Sequence, residues 1–246
     1  MTNTIFDSKK IPISEWIEYL LHLFEFHSIN SIAYDNRNSP MTGKYWLIKT
    51  FEVLKGIQDD VVLDGTLYLD ETYFTKVRSK LVTKDGNKQR GISRNKIGVG
   101  VACNETKSIF IVTGTSKPSR KSTKGTYSQH IARGSVLVHD DEHSHSILTE
   151  ELELESIVYP TKETKESSDK DNPLYPVNNL HLLLKQFIRN HGAYDREDLQ
   201  DWLNLFWFIM NEPKDKYDKV LKFIEMAVSS PKKVRYRDAM SSKHCK

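Results

Sequence analysis

The sequence predicts a mixed α/β domain built on a central sheet and preceded by a small helical module. Three observations carry this prediction. Apolar residues recur at helical spacing through the first 56 positions, and the period changes to a strand-like alternation from residue 66. The segments that follow are ordered as consecutive strands, then strands alternating with helices, then terminal helices, which is the order of a sheet with helices packed on it. With 246 residues the chain is long enough to bury a large core and a smaller one.

The helical module is read from three stretches. "EWIEYLLHLFEF" follows Ser14, taken as its N-cap, and places Ile17, Leu20, Leu21 and Phe24 on one face. A short segment, "SINSIAYDN", precedes "SPMTGKYWLIKTFEVLKG", which starts after Ser39-Pro40 and carries Trp46, Leu47, Phe51 and Leu54. Three helices with a tight polar turn before the third fit a helix-turn-helix module, and equally a plain three-helix bundle.

The sheet is read from short apolar runs. Val61–Leu63, the turn signal Asp64-Gly65, and then Leu67 and Leu69 lead into "TLYLDETYF" (66–74), an alternating strand that ends in Asp70-Glu71. "KIGVGVACN" (96–104) and "SIFIVTGTS" (108–116) form a hairpin across "ETK". "SVLVHDDEHSHS" (135–146) opens as a buried strand, "ESIVYP" (155–160) is a further one, and "TKETKESSDKDNP" is a polar loop. The remainder, from Pro176 to Val228, reads as helical, with Gly192 as a stop between two helices and Leu199, Trp202, Leu203, Phe206 and Met210 as core positions of the second. The expected organisation is a helical module over 1–60, a sheet domain over 61–229 and a basic tail over 230–246.

The net charge of +3 says little, but its distribution says more. Lys76, Arg78, Lys80, Lys84, Lys88, Arg90, Arg94 and Lys96 face only Asp85. Lys117, Arg120, Lys121 and Lys124 form a second cluster without an intervening acid, and Lys232, Lys233, Arg235 and Arg237 a third. Such runs are solvated loops or a surface that tracks phosphates. Cys103 and Cys245 are too few for a disulfide framework or a four-cysteine zinc site. No stretch reaches the roughly 18 apolar residues of a membrane span, so a cytoplasmic protein is expected.

Acids close two of the strands. Asp70-Glu71 alone is an ordinary surface pair, a salt-bridged pair or a metal-binding site. The run "VLVHDDEH", however, ends a second strand in Asp140, Asp141 and Glu142. If those strands are neighbours, Asp70 and Asp140 meet at one edge, where like charges repel unless a cation lies between them. Oxygen ligands point to Mg2+ or Mn2+, whereas His139, His143 and His145 offer a rival transition-metal set. In "VNNLHLLLKQFIRNHG", Leu180, Leu183, Leu184, Phe187 and Ile188 share one face while Asn178, His181, Lys185 and Arg189 share the other.

The order of Asp70 in "LYLDETYF", Asp140 in "VLVHD", and "NNLHLLLK" followed by "LQDWLNLFWF" resembles the insertion-sequence DDE transposases, in the branch whose third position can be Asn trailed by Lys. "TIFDSKKIPISEWIEYLLHLF" resembles the segment leading into that family's helix-turn-helix. The resemblance implies a ribonuclease-H-like fold and metal-dependent phosphoryl transfer that cuts and joins DNA at element ends. It implies Asp70, Asp140 and Asn178 as catalytic metal ligands for Mg2+ or Mn2+, and Lys185 as a phosphate-facing catalytic residue. Glu71, Asp141 and Glu142 are the second choices for the carboxylates. DNA, as terminal inverted repeats and target, is the implied partner, with Lys84, Lys88, Arg90, Arg94, Lys121 and Arg189 as contacts and a homo-oligomer assembled on it. The family's N-terminal zinc ribbon has no counterpart in these residues, so a truncated or decayed copy, or a start placed too far downstream, is expected. Two rival functions are a catalytically impaired copy that only binds DNA and an interaction or structural-metal protein built on the histidines.

Overall fold

The computed structural model describes residues 3–7, 11–75, 84–87, 91–92, 95–160, 171–191, 198–211, 213–230 and 232–241. Lys88, Arg90 and Arg94 therefore lie outside the described residues. The chain divides into two compact units, Gln58–Leu184 and Met1–Ile57 with Lys185–Lys246. Among the described residues no helix is long and apolar enough to cross a membrane.

The first of these units holds a five-stranded sheet. Its strands are β1 (Thr66–Thr75), β2 (Lys96–Cys103), β3 (Ser108–Thr115), β4 (Val136–His139) and β5 (Glu155–Val158). Leu67 and Leu69 are fully buried at alternate positions of β1, as a strand with one face on a core requires. The strand does not stop at Asp70-Glu71 as its sequence implied. Beyond the acids the buried positions change to the other face, with Thr72 and Phe74 buried, and antiparallel pairing with β2 continues to Thr75 opposite Lys96. The β2–β3 hairpin turns at Asn104, whose side-chain oxygen accepts from the backbone of Thr106 at 3.0 Å and Lys107 at 2.7 Å.

The strand order is β3-β2-β1-β4-β5, with β1, β2 and β3 antiparallel and β4 and β5 parallel to β1. That order and those directions are the ribonuclease-H-like fold. Helices α4 (Arg120–Tyr127) and α5 (Ser146–Leu152) supply the crossovers. α4 starts on a capping box in which the Ser119 and Ser122 side chains each accept from the other's backbone N–H. Tyr127, Ile131, Leu148 and Leu152 close a core over Leu67, Leu69 and Leu137. Helix α6 (Tyr175–Asn190) follows, its residues to Leu184 belonging to this unit.

The helical unit opens with α1 (Ile13–Phe24), α2 (Ile29–Asp35) and α3 (Pro40–Leu54). Helix α1 begins at Ile13 with Pro12 at the N-cap, two residues earlier than the Ser14 cap implied, and without a side-chain cap. Ser28 and Ser39 do cap α2 and α3, and Pro40 occupies the first turn of α3, where its missing N–H costs nothing. Trp16 stacks on Trp46 at 4.4 Å, with Tyr19 edge-on to Trp46 at 5.2 Å. Trp46–Phe51, Val53 and Leu54 of α3 are buried, so most of its accessible residues lie in the first turns.

The C-terminal helices α7 (Leu199–Met210), α8 (Lys216–Ser229) and α9 (Tyr236–Ser241) complete this same unit. Trp202 packs edge-on to Phe51 at 5.1 Å, and Phe24 meets Phe208 at 5.5 Å and Phe223 at 6.2 Å. Residues beyond 230 also pack here, through Tyr236 against Tyr45 at 5.2 Å and Lys232 Nζ donating to the Glu52 carbonyl at 2.6 Å. Buried Lys219 donates to the carbonyls of Phe208 at 3.2 Å, Ile209, and Asn211 at 2.6 Å, so one ammonium satisfies the end of α7. Lys219→Met keeps the stem but strands these carbonyls. It is expected to lower stability by about 1–3 kcal/mol, read as a lower midpoint in urea unfolding.

Candidate active site

The site is built on the parallel pair β1–β4. Leu69 sits opposite His139 in that register, so the next residues along the two strands, Asp70 and Asp140, emerge side by side. Each side chain is about a quarter exposed, at 26%. Asp70 Oδ1 accepts from the Glu71 backbone N–H at 2.7 Å, and Asp140 Oδ1 from that of Glu142 at 3.1 Å. Burial, then the charges of Asp140 and Glu71, push the Asp70 carboxyl up to about 7. Burial also raises Asp140. Two carboxylates held above their usual range by desolvation and mutual repulsion are a donor set that a hard divalent cation would relieve.

Adjacent strand residues point to opposite faces, so Glu71 shares the side of Leu67 and Leu69. Its carboxylate, only 4% exposed, accepts from the Tyr127 hydroxyl at 3.0 Å and lies 3.2–3.3 Å from His145 Nε2. Gly100 stands opposite Glu71 on β2, where a Cβ would fall 2.7 Å from Tyr127 Cζ. The glycine is what lets the tyrosine reach the carboxylate. Tyr127 and Gly100 were not singled out in the sequence, and the flat "GVGV" run of β2 is the one signal for them.

The histidines extend this network. His145 Nδ1 lies 3.1 Å from His139 Nδ1, and His139 Nε2 is 3.0 Å from Ser156 Oγ. Burial lowers His145, but its bond to Glu71 and the charges of Glu71, Asp140 and Asp70 outweigh that and leave it raised. Burial and the neighbouring His145 drive His139 down to about 4. The bonds are satisfied when His145 donates from Nε2 to Glu71, one proton lies between the two facing Nδ1 atoms, and His139 Nε2 pairs with the Ser156 hydroxyl.

This network bears on two expectations. His139, Asp140 and His145 do bring potential ligand atoms within 4.8 Å of one another, yet all four imidazole nitrogens already have hydrogen-bond partners. The histidines therefore brace the acids, and exposed His143 takes no part in the cluster. As for the second-choice carboxylates, Glu71 is spent on Tyr127 and His145. Glu142 pairs with Lys117 at 2.9 Å and caps the turn that carries His145. Asp141 is exposed.

Helix α6 brings His181 to Asp70. His181 is buried, and its Nδ1 lies 3.8 Å from Asp70 Oδ2. Asn178, half-buried, precedes it by three residues and so occupies the same side of the helix one turn earlier. Lys185 and Arg189, further along α6, are exposed, as are Lys84 and Lys121. Much of the second basic cluster is paired: Lys117 with Glu142, Arg120 with Glu150 at 2.5 Å and Lys124 with Glu151 at 2.6 Å. These are solvent-facing pairs worth little each, so a phosphate can displace them.

No protein-family model matches the chain, and no curated protein matches it. Among solved structures it is similar to the pre-cleavage Mos1 transpososome, at 12% identity over 93% of this chain and 81% of that one, with a TM-score of 0.35. The mariner Mos1 paired end complex with Mg gives 14% identity over 94% and 84% of the two chains and a TM-score of 0.37. The simian T-cell lymphotropic virus intasome in complex with PP2A regulatory subunit B56 gamma gives 8%, 77%, 67% and 0.37. At these values the fold assignment rests on the strand order and directions alone.

The raised Asp70 has a sign that can be checked. An acid whose folded pKa lies near 7 against an unfolded 3.8 costs stability above the folded value, and the cost vanishes as pH falls toward 4. Without divalent ions, Asp70→Asn is expected to unfold at a higher temperature than wild type at pH 8, by about 2–4 °C for each kcal/mol recovered. The difference should close on acidification. Gly100→Ala should instead destabilise by about 1–3 kcal/mol at every pH, because it drives a methyl group into Tyr127.

Proposed function

We propose that this chain is a DDE-type transposase of the insertion-sequence kind, which cuts DNA at element ends and joins the freed 3′-OH to target DNA by phosphoryl transfer. The observation that carries the reading is the placement of Asp70 and Asp140 side by side on the two central parallel strands of a ribonuclease-H-like sheet, with both carboxyls held up by burial. Asp70 and Asp140 would hold Mg2+ or Mn2+, and Asn178 would add a neutral carbonyl oxygen. Bound there, divalent ions supply charge stabilisation and alignment for the attacking and leaving oxygens of the scissile phosphate.

The chain's own residues do the rest. Glu71, Tyr127, His145 and His139 form a hydrogen-bonded brace behind the acids, so that Asp140 needs no reorganisation when it takes up an ion. His181 sets the side of Asp70. Lys185, two helical turns from Asn178, neutralises phosphate charge. Lys84, Lys88, Arg90, Arg94, Lys121 and Arg189 track the backbone of the terminal repeats, and the accessible first turns of α3 offer the helix-turn-helix contact. Two DNA ends must be held at once, so a homo-oligomer on DNA is part of the reading.

The test is cleavage of supercoiled DNA carrying the element's inverted repeats in Mg2+ or Mn2+. Asp70→Asn and Asp140→Asn should each lose at least about a hundredfold in rate while keeping DNA affinity. Lys185→Ala should lose cleavage and keep Mn2+ binding, whereas Asn178→Ala should weaken Mn2+ binding and Asn178→Asp preserve or strengthen it. Wild-type protein that binds the ends without cutting them would make the chain a DNA-binding protein with a vestigial site, the reading that an Asn at the third position favours.

A further inference from the structure

The helical unit carries a donor cluster that the acidic site does not use. Helix α1 ends at Phe24, Glu25 follows at φ −86° and ψ 11°, and Phe26 then takes a φ of 67°, which bulky L side chains rarely adopt. The Phe26 ring packs edge-on to Phe187 at 5.0 Å, which holds the turn. The reversal returns His27 to the end of the helix, where its N–H donates to the His22 carbonyl at 3.1 Å. The two imidazoles lie 5.0 Å apart and 31° from parallel.

His22, Glu25 and His27 thus each present a ligand atom within 4.8 Å of the others. In both rings Nδ1 is buried and has no hydrogen-bond partner. A buried nitrogen left so costs on the order of 1–3 kcal/mol, and two of them lie here beside a carboxylate. The carbonyl ends of α1 add a negative potential at the same place. Lys216 answers part of it, donating to Glu25 Oε1 at 3.0 Å from a half-exposed position, so it can swing into water.

We propose that His22, Glu25 and His27 form a transition-metal site for Zn2+ or a similar borderline cation, separate from the acidic pair of the sheet unit. Two imidazoles and one carboxylate match the ligands such ions prefer and leave a fourth position for water, whereas Mg2+ prefers oxygen donors. Lys216 is the cation that the metal displaces from Glu25. Because the ligands straddle the α1–α2 turn, metal binding ties that turn down and stabilises the unit by linkage.

The experiment is calorimetric titration of ZnCl2 into the full chain with Mg2+ in excess, paired with thermal unfolding. His22→Gln and His27→Gln should each lose one equivalent of Zn2+ and the part of the Zn2+-dependent rise in unfolding temperature that goes with it. Glu25→Gln should weaken that equivalent roughly tenfold or more, and Lys216→Met, which removes the ammonium that competes with the metal for Glu25, should tighten it. His143→Gln, an exposed histidine outside the cluster, should match wild type. Unchanged stoichiometry and affinity in His22→Gln and His27→Gln, or no tightening in Lys216→Met, would overturn the site.

Discussion

The parallel pairing of β1 with β4 is the constraint on which the sheet unit depends. It sets Leu67 beside Leu137 and Leu69 beside His139, and thereby fixes where the next two residues emerge. Because the register also buries Leu67, Leu69 and Leu137 under α4 and α5, slipping it by one residue would turn the leucines to the wrong face. The hydrophobic core therefore enforces the proximity of two carboxylates that repel one another. Their raised pKa values record a local instability that the core outweighs, as is common where a site is shaped for a ligand.

The brace behind the acids follows from the same strand. The two residues Asp70 and Glu71 point to opposite faces, and the pleat gives them different tasks. Asp70 stays partly open, while Glu71 turns toward the core, where an unpaired charge would be prohibitively costly. It is kept by Tyr127 from α4 and by His145 from the turn after β4, and Gly100 makes the space. His145 then meets His139 through their Nδ1 atoms, and Ser156 on β5 closes the chain of hydrogen bonds. One buried carboxylate thus links β1, β2, α4, β4 and β5.

In the helical unit the organising contact is aromatic. Trp16, Tyr19 and Trp46 join α1 to α3, while Phe51 with Trp202 and Phe24 with Phe208 and Phe223 join them to α7 and α8. The N-terminal helices share one core with the C-terminal ones, including Tyr236 beyond the last long helix. Lys49 and Lys219 are buried there, each spending its ammonium on backbone carbonyls, which is how long cations become interior residues.

The sequence by itself determined the element order, because alternation leading into Asp70, apolar runs in 96–103 and 108–115 and helical spacing in 13–24, 40–54 and 199–210 are local properties of the chain. It also determined Asp70 and Asp140 as a pair to watch, since acids closing apolar strands are visible without a fold. The continuation of β1 past Asp70-Glu71 was not legible, because two acids in a strand look like its end unless β2 is known to pair through to Thr75. The third dimension decided which polar residues serve the site. Nothing local separates His145 and His181, which are buried beside acids, from His143, which is exposed. Likewise Glu71 and Glu142 become a core anchor and a paired cap only through Tyr127 and Lys117, residues about 56 and 25 positions away in the chain. Hydrophobic period is written along the chain, whereas the partner of a buried charge is set by strand register and helix placement.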